Sequence, residues 1–200
     1  AATARERMQS SVDAVERAVA RGDVTYGINT GFGAFASRVI PATQTRRLQL
    51  NLVRSHACGT GEPLPAHIVR RMLLLKANAL AAGNSGARPL IADMLLGLLD
   101  ADVLPIVPAQ GSVGASGDLA PLAHIGLALI GEGEALCGGE RLEGEAVPRA
   151  AGFELLTMQA KEGLALLNGT QLSLALALEG LFQAERLLDA SIVAGALTVE

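Results

Sequence analysis

The chain has 200 residues, half of them hydrophobic, with 18% charged side chains and a net charge of -4. That length suffices for one large domain or two small ones, and the mild acidity offers no basic field for nucleic acid. No apolar run is long enough to span a bilayer, and Cys58 and Cys137 are too few for a disulfide framework, so a cytoplasmic protein without membrane or nucleic-acid partners is expected.

Residues 3–20 place Met8, Val12, Val15 and Val19 at helical spacing, and Gly22 ends that helix. Tyr26-Gly27-Ile28-Asn29-Thr30-Gly31-Phe32-Gly33 reads as a loop because glycines interrupt it repeatedly. Thr43 is placed to cap a helix running to about His56, and Gly59-Thr60-Gly61 breaks it. Pro65 suits the first turn of the next helix, with Gly83 or Gly86 at its end, and Pro89 opens another to about Ala101. Pro105 and Pro108 force an extended entry into a glycine-rich stretch, after which Asp118 caps a helix from Leu119 to about Ile130. Residues 134–147 carry Gly138-Gly139 between short segments, the pattern of a small hairpin. Thr157 is placed to cap a short helix ending near Asn168-Gly169, and a long helix follows from about Thr170. The start of that helix, Leu172–Leu178, is apolar on nearly every side, which predicts burial all round; 200 residues can hardly surround it, so the remainder of the parent or partner subunits are expected to. The apolar pattern runs to Glu200 with only Gly195 to fray it, so the chain is expected to continue in a longer parent.

Two stretches carry chemistry. The chain has one Tyr and four Phe, and Tyr26, Phe32 and Phe35 cluster in or beside one glycine-rich loop. The Phe rings read as anchors, whereas the lone phenol is open to either an anchoring or a functional role. The second stretch is Gly111-Ser112-Val113-Gly114-Ala115-Ser116-Gly117-Asp118. No Lys follows, so it is not a phosphate loop, and Asp118 stands where a nucleophile elbow needs its second Gly. A plain helix N-terminus remains open. So does a more specific chemistry. Attack of the Gly117 nitrogen on the Ala115 carbonyl carbon closes a five-membered ring, because Gly has no Cβ to obstruct the bend. Loss of water from the ring and from Ser116 then leaves a conjugated exocyclic methylene, an electrophile needing no external cofactor. The positive end of the helix opening at Leu119 favours negative charge on such a ring.

Tyr26–Gly33, Gly111–Ala123 and Lys161–Thr170 resemble, in sequence and order, the signature segments of the aromatic amino acid ammonia-lyases. The resemblance runs from about Val24 to the end of the chain. It implies a mainly α fold, a helical bundle of the aspartase/fumarase-like type with active-site loops, of which residues 1–200 are the N-terminal catalytic region. It also implies that Ala115, Ser116 and Gly117 form the methylidene-imidazolone prosthetic group, which captures the substrate amine. Tyr26 would be the base that removes the β-proton, and because phenols titrate near 10 its oxygen must be polarised. Asn168 would hydrogen-bond the prosthetic group or the substrate carboxylate, and Gly33 and Gln171 would line the same pocket.

Within that family a dipeptide sorts substrates, and here it reads Ser55-His56. The pair resembles the histidine-specific branch, which implies elimination of ammonia from L-histidine to urocanate in histidine catabolism. His56 offers a hydrogen bond to an imidazole, although a satisfied interior histidine remains open. A tyrosine or phenylalanine ammonia-lyase or aminomutase is the nearest alternative, and an inactive helical assembly fragment is a second. His67 and His124 read as structural, and no His or Cys pair has metal spacing. Family members are much longer, supply an Arg for the substrate carboxylate downstream and assemble their site in a homotetramer. The isolated 200-residue piece is therefore expected to be inactive.

Overall fold

In the computed structural model, which describes residues 2–199, the chain is mainly α. Helix α1 (Ala2–Arg21) stops at Gly22, which takes the left-handed φ of +73°. Helix α2 (Ala42–His56) begins after Pro41 rather than at a Thr43 cap. Pro41 fixes φ at -56°, and its carbonyl accepts hydrogen bonds from the Gln44 amide and the Thr45 hydroxyl, so Thr43 lies inside the first turn. Strand β1 (Thr60–Pro63) precedes α3 (Ala66–Ala81), and α4 (Pro89–Asp100) carries Pro89 at its first position.

Strands β2 (Val103–Pro105) and β3 (Pro108–Gln110) follow, with β3 paired antiparallel to β1. Helix α5 (Leu119–Ile130) ends at Gly131, again left-handed. Residues 134–143 fold as the antiparallel pair β4 (Glu134–Cys137) and β5 (Glu140–Glu143), and β2 joins them in the order β2-β4-β5. The short helices α6 (Ala146–Ala150) and α7 (Glu162–Leu167) lead to the long α8 (Gln171–Val199).

The core lies where α3 packs on α4, α2 and α7 pack on α5, and α8 crosses α3. Met72, Leu73, Ile91, Leu95, Ala123 and Leu129 are buried there. A second expectation is corrected. Thr157 does not cap α7, which starts five residues later behind Lys161 at φ +74°. The start of α7 has no side-chain cap; the carboxylate of Glu162, its first residue, accepts the amide of the preceding Gln159 at 2.8 Å and is gripped by Arg88 at 2.7 and 2.8 Å. The start of α8 is only partly covered within this chain, with Leu172 and Ala175 buried but Leu174 and Leu176 nearly half exposed, in keeping with a helix that these residues alone cannot surround. No described helix is long and apolar enough to cross a membrane.

Candidate active site

The loop before α2 is closed by its own hydrogen bonds. The buried Asn29 accepts the Thr25 amide at 2.8 Å through Oδ1 and donates to the Asp23 carbonyl at 2.7 Å. The Gly31 amide donates to Arg38, and the Ile40 amide donates to Asn29. Gly27 is left-handed, and any Cβ there would run into Leu164 of α7. Gln49 of α2, fully buried, spans the gap: its Oε1 accepts the Leu164 amide at 3.0 Å, and its Nε2 donates to the Gly27 carbonyl at 3.5 Å. Tyr26 is thereby presented as a residue 55% exposed, its ring edge-on to Phe32 with centroids 5.9 Å apart.

The second loop is held by a buried carboxylate. Asp118 occupies the cap position of α5, but its side chain makes no cap hydrogen bond. It accepts the Ser112 hydroxyl at 2.7 Å, the Ser173 hydroxyl at 2.8 Å and the Ser173 amide at 2.8 Å. The expected side-chain cap is therefore replaced by a clamp that ties both ends of residues 112–118 to the start of α8. The Asp118 amide donates to the Gly169 carbonyl at 2.7 Å, and Gly117 and Gly169 form a parallel bridge. Gly117 has φ +105°, and a Cβ there would collide with the Gly169 backbone. Only glycine fits.

Tyr26, Gly33, His56, Ser116 and Asn168 line one cavity of about 350 Å³, floored by Leu119, Leu164 and Leu167. Mostly apolar walls with a few convergent polar groups suit a small polar ligand. His56 is oriented by its own helix, because its Nδ1 lies 2.9 Å from the Leu52 carbonyl. A carbonyl only accepts, so in the neutral ring Nδ1 carries the proton and Nε2 is left as an acceptor.

Other nominated residues lie elsewhere. Ser55 is exposed, donates to the Leu52 carbonyl and lines a neighbouring pocket with His56. Gln171 opens α8 beside Gly169, with its Oε1 buried and unpartnered. His67 is an exposed neighbour of Glu179. His124 accepts the Gly59 amide at 3.1 Å, and burial pushes its pKa down. No described cluster of His, Cys, Asp or Glu is fit to hold a metal ion.

Sequence reasoning passed over Gln49 and Lys76. Lys76 is 2% exposed and donates to the Asn168 carbonyl at 2.6 Å. A signal existed: Lys76 falls in the i, i+4 series Ile68, Met72, Lys76, Leu80, where every other member is apolar.

All 200 residues match the family described as aromatic amino acid lyase. The chain belongs to that family. It is 54% identical over 199 residues to a histidine ammonia-lyase of Paracidovorax citrulli, covering 100% of this chain and 39% of that relative. It is 50% identical to the histidine ammonia-lyase of Geobacillus sp., covering 98% and 38% respectively. This lyase chain therefore spans less than half the length of the relatives it matches. Among solved structures it resembles the histidine ammonia-lyase of Trypanosoma cruzi, with TM-score 0.85, 39% identity and coverage of 94% of this chain and 36% of that one. It also resembles Pantoea agglomerans phenylalanine aminomutase, with TM-score 0.90, 30% identity and coverage of 96% and 37%. Those two proteins differ in their named reactions, so the lyase backbone is shared across chemistries and specificity must reside in side chains.

Proposed function

We propose that the protein carrying this chain is a histidine ammonia-lyase, eliminating ammonia from L-histidine to leave urocanate. The observation that carries the reading is the single cavity shared by Tyr26, His56, Ser116 and Asn168. The residues fit the family's prosthetic group. Gly117 sits at a φ only glycine adopts easily, pressed so closely against Gly169 that a Cβ would collide, and Ser116 faces the cavity. Ala115, Ser116 and Gly117 would hold the methylidene-imidazolone, which supplies an electrophilic methylene carbon for the substrate amine.

The remaining work falls to ordinary side chains. Tyr26 takes the β-proton on its phenolic oxygen from the open side of the cavity. Asn168, which lines the same cavity, offers an amide to the prosthetic group or the substrate carboxylate. His56, with Nδ1 committed to Leu52, offers Nε2 as an acceptor for the imidazole N–H of the substrate. A phenyl ring has no such donor, so it would leave Nε2 unpaired, which is how a polar site rejects an apolar analogue. Leu52, Leu119, Leu164 and Leu167 keep water from the reacting centre. Gly33 contributes backbone at the rim. Ser55, whose hydroxyl lies 3.1 Å from His56 Nδ1, supports His56 from outside the cavity, and Gln171 lies beside Gly169. The substrate carboxylate is expected to meet an Arg contributed from outside these residues, in a cytoplasmic homotetramer.

The test is an assay of the whole protein on L-histidine, L-tyrosine and L-phenylalanine, combined with intact mass. The expected mass is two waters below the sequence, with turnover of L-histidine roughly 10⁴-fold above L-phenylalanine and also above L-tyrosine. His56→Leu should remove most of that preference. Faster release of coumarate or cinnamate would assign the protein to the tyrosine or phenylalanine branch. An unmodified mass with no ammonia release would identify a helical assembly module instead.

A further inference from the structure

We propose that Lys76 is a positioning residue for the reaction, holding the Asn168–Gly169 strand against the ring-forming tripeptide through the Asn168 carbonyl. The inference rests on the functional reading above. Lys76 lies on the inward face of α3, between the buried Met72 and Leu80, and is itself 2% exposed. Its Nζ donates to the Asn168 carbonyl at 2.6 Å, and among the described residues it has no carboxylate partner. The strand it holds does two things at once. Asn168 presents its side chain to the cavity, and Gly169 bridges Gly117 and accepts the Asp118 amide at 2.7 Å.

Stability does not account for this lysine. An ammonium buried without a counter-charge is costly, and burial pushes its pKa down to about 7. The surrounding stripe is aliphatic, so an unbranched apolar side chain of the same length would pack there without that penalty. What the apolar side chain lacks is a donor for Asn168. The geometry therefore separates stability from function at one position: the one polar contact of this buried amine fixes a main-chain oxygen beside the reacting centre.

The experiment is Lys76→Met in the whole protein, read by thermal melting, intact mass and steady-state kinetics on L-histidine. The expected result is a melting temperature equal to or above the parent, with kcat lower by tenfold or more and KM changed less than twofold. A fraction of molecules retaining both waters would locate the effect in ring formation. A fully converted mass with low kcat would locate it in the placement of Asn168; both support the proposal. A variant that melts lower, or fails to fold, makes Lys76 an ordinary structural residue and overturns it. So does unaltered turnover at unaltered stability. If the parent itself keeps both waters and releases no ammonia, the functional reading fails first, independently of Lys76.

Discussion

Residues 25–40 and residues 112–118 are both glycine-rich, and both face the same cavity, yet they are anchored in different ways. The Tyr26 loop folds on itself, through the two side-chain hydrogen bonds of Asn29 and the Thr30–Val39 bridge. Its polar tie to α2 is the long Gln49 contact to the Gly27 carbonyl. The tripeptide loop is gripped by the body of the fold. Asp118 ties it to Ser173, and Gly169 lies against Gly117 so closely that a methyl group would not fit. The contrast matches the proposed division of labour. A base that meets a substrate can ride on a unit that moves as one piece, whereas backbone that must bend into a ring needs walls that do not give.

The comparison is broken most severely at Gly117. Gly117→Ala should abolish turnover and leave the whole protein at its unmodified mass, because the added methyl meets main chain that Asp118 already holds. Gly114→Ala is the control. Gly114 is also left-handed, at φ +68°, but a Cβ there would meet open space. It should cost about 1 kcal/mol and still permit loss of both waters. If the two alanines behave alike, backbone strain rather than the Gly169 wall governs the loop.

The next effect separates the loops. Tyr26→Phe removes one hydroxyl from a side chain more than half exposed, so melting temperature and the loss of two waters should match the parent. kcat should fall by about 10²–10⁴, the range for loss of a general base, which is roughly 3–5 kcal/mol in the barrier. Near-normal turnover would move the base to another residue.

Much of this arrangement was legible in the sequence, and the rest was hidden for identifiable reasons. Gly22, Pro65 and Pro89 punctuate helices chemically, so α1, α3 and α4 could be placed closely. Thr43 and Thr157 misled because capping propensity is local. Pro41 already pre-organised the start of α2, and the Arg88–Glu162 pair, made across 74 residues, set the start of α7. Strands of three residues such as β2 and β3 are too short to show alternation. The Gly-rich motifs pointed to Tyr26, Ser116 and Asn168 individually. Their convergence on one cavity depends on Gln49, Lys76 and Asp118, each of which reaches a partner 55–115 residues away. No local pattern encodes those pairings.

The smallest effect concerns the floor beneath the clamped loop. His124 of α5 accepts the Gly59 amide through Nε2, and Gly59 packs beneath Gly111 at the entry to residues 112–118. Desolvation lowers the His124 pKa from its ordinary 6.5, only partly opposed by Glu134. The sign follows directly. The fold favours the neutral ring, so the contribution is complete above the unfolded value of 6.5 and is lost as pH falls below it. Protonation at Nε2 also removes the acceptor that Gly59 needs, a backbone hydrogen bond worth about 1 kcal/mol. His124→Gln keeps an acceptor that does not titrate there. Denaturant melts should give it nearly the parent's stability in mildly alkaline buffer and a shallower decline on the acid side of 6.5. Because Gly59 does not touch the Tyr26 loop's own hydrogen bonds, acid should loosen the tripeptide side first. Parallel acid curves for parent and variant would show that the floor does not respond to this histidine, and that the clamp on residues 112–118 depends on Asp118 and Gly169 alone.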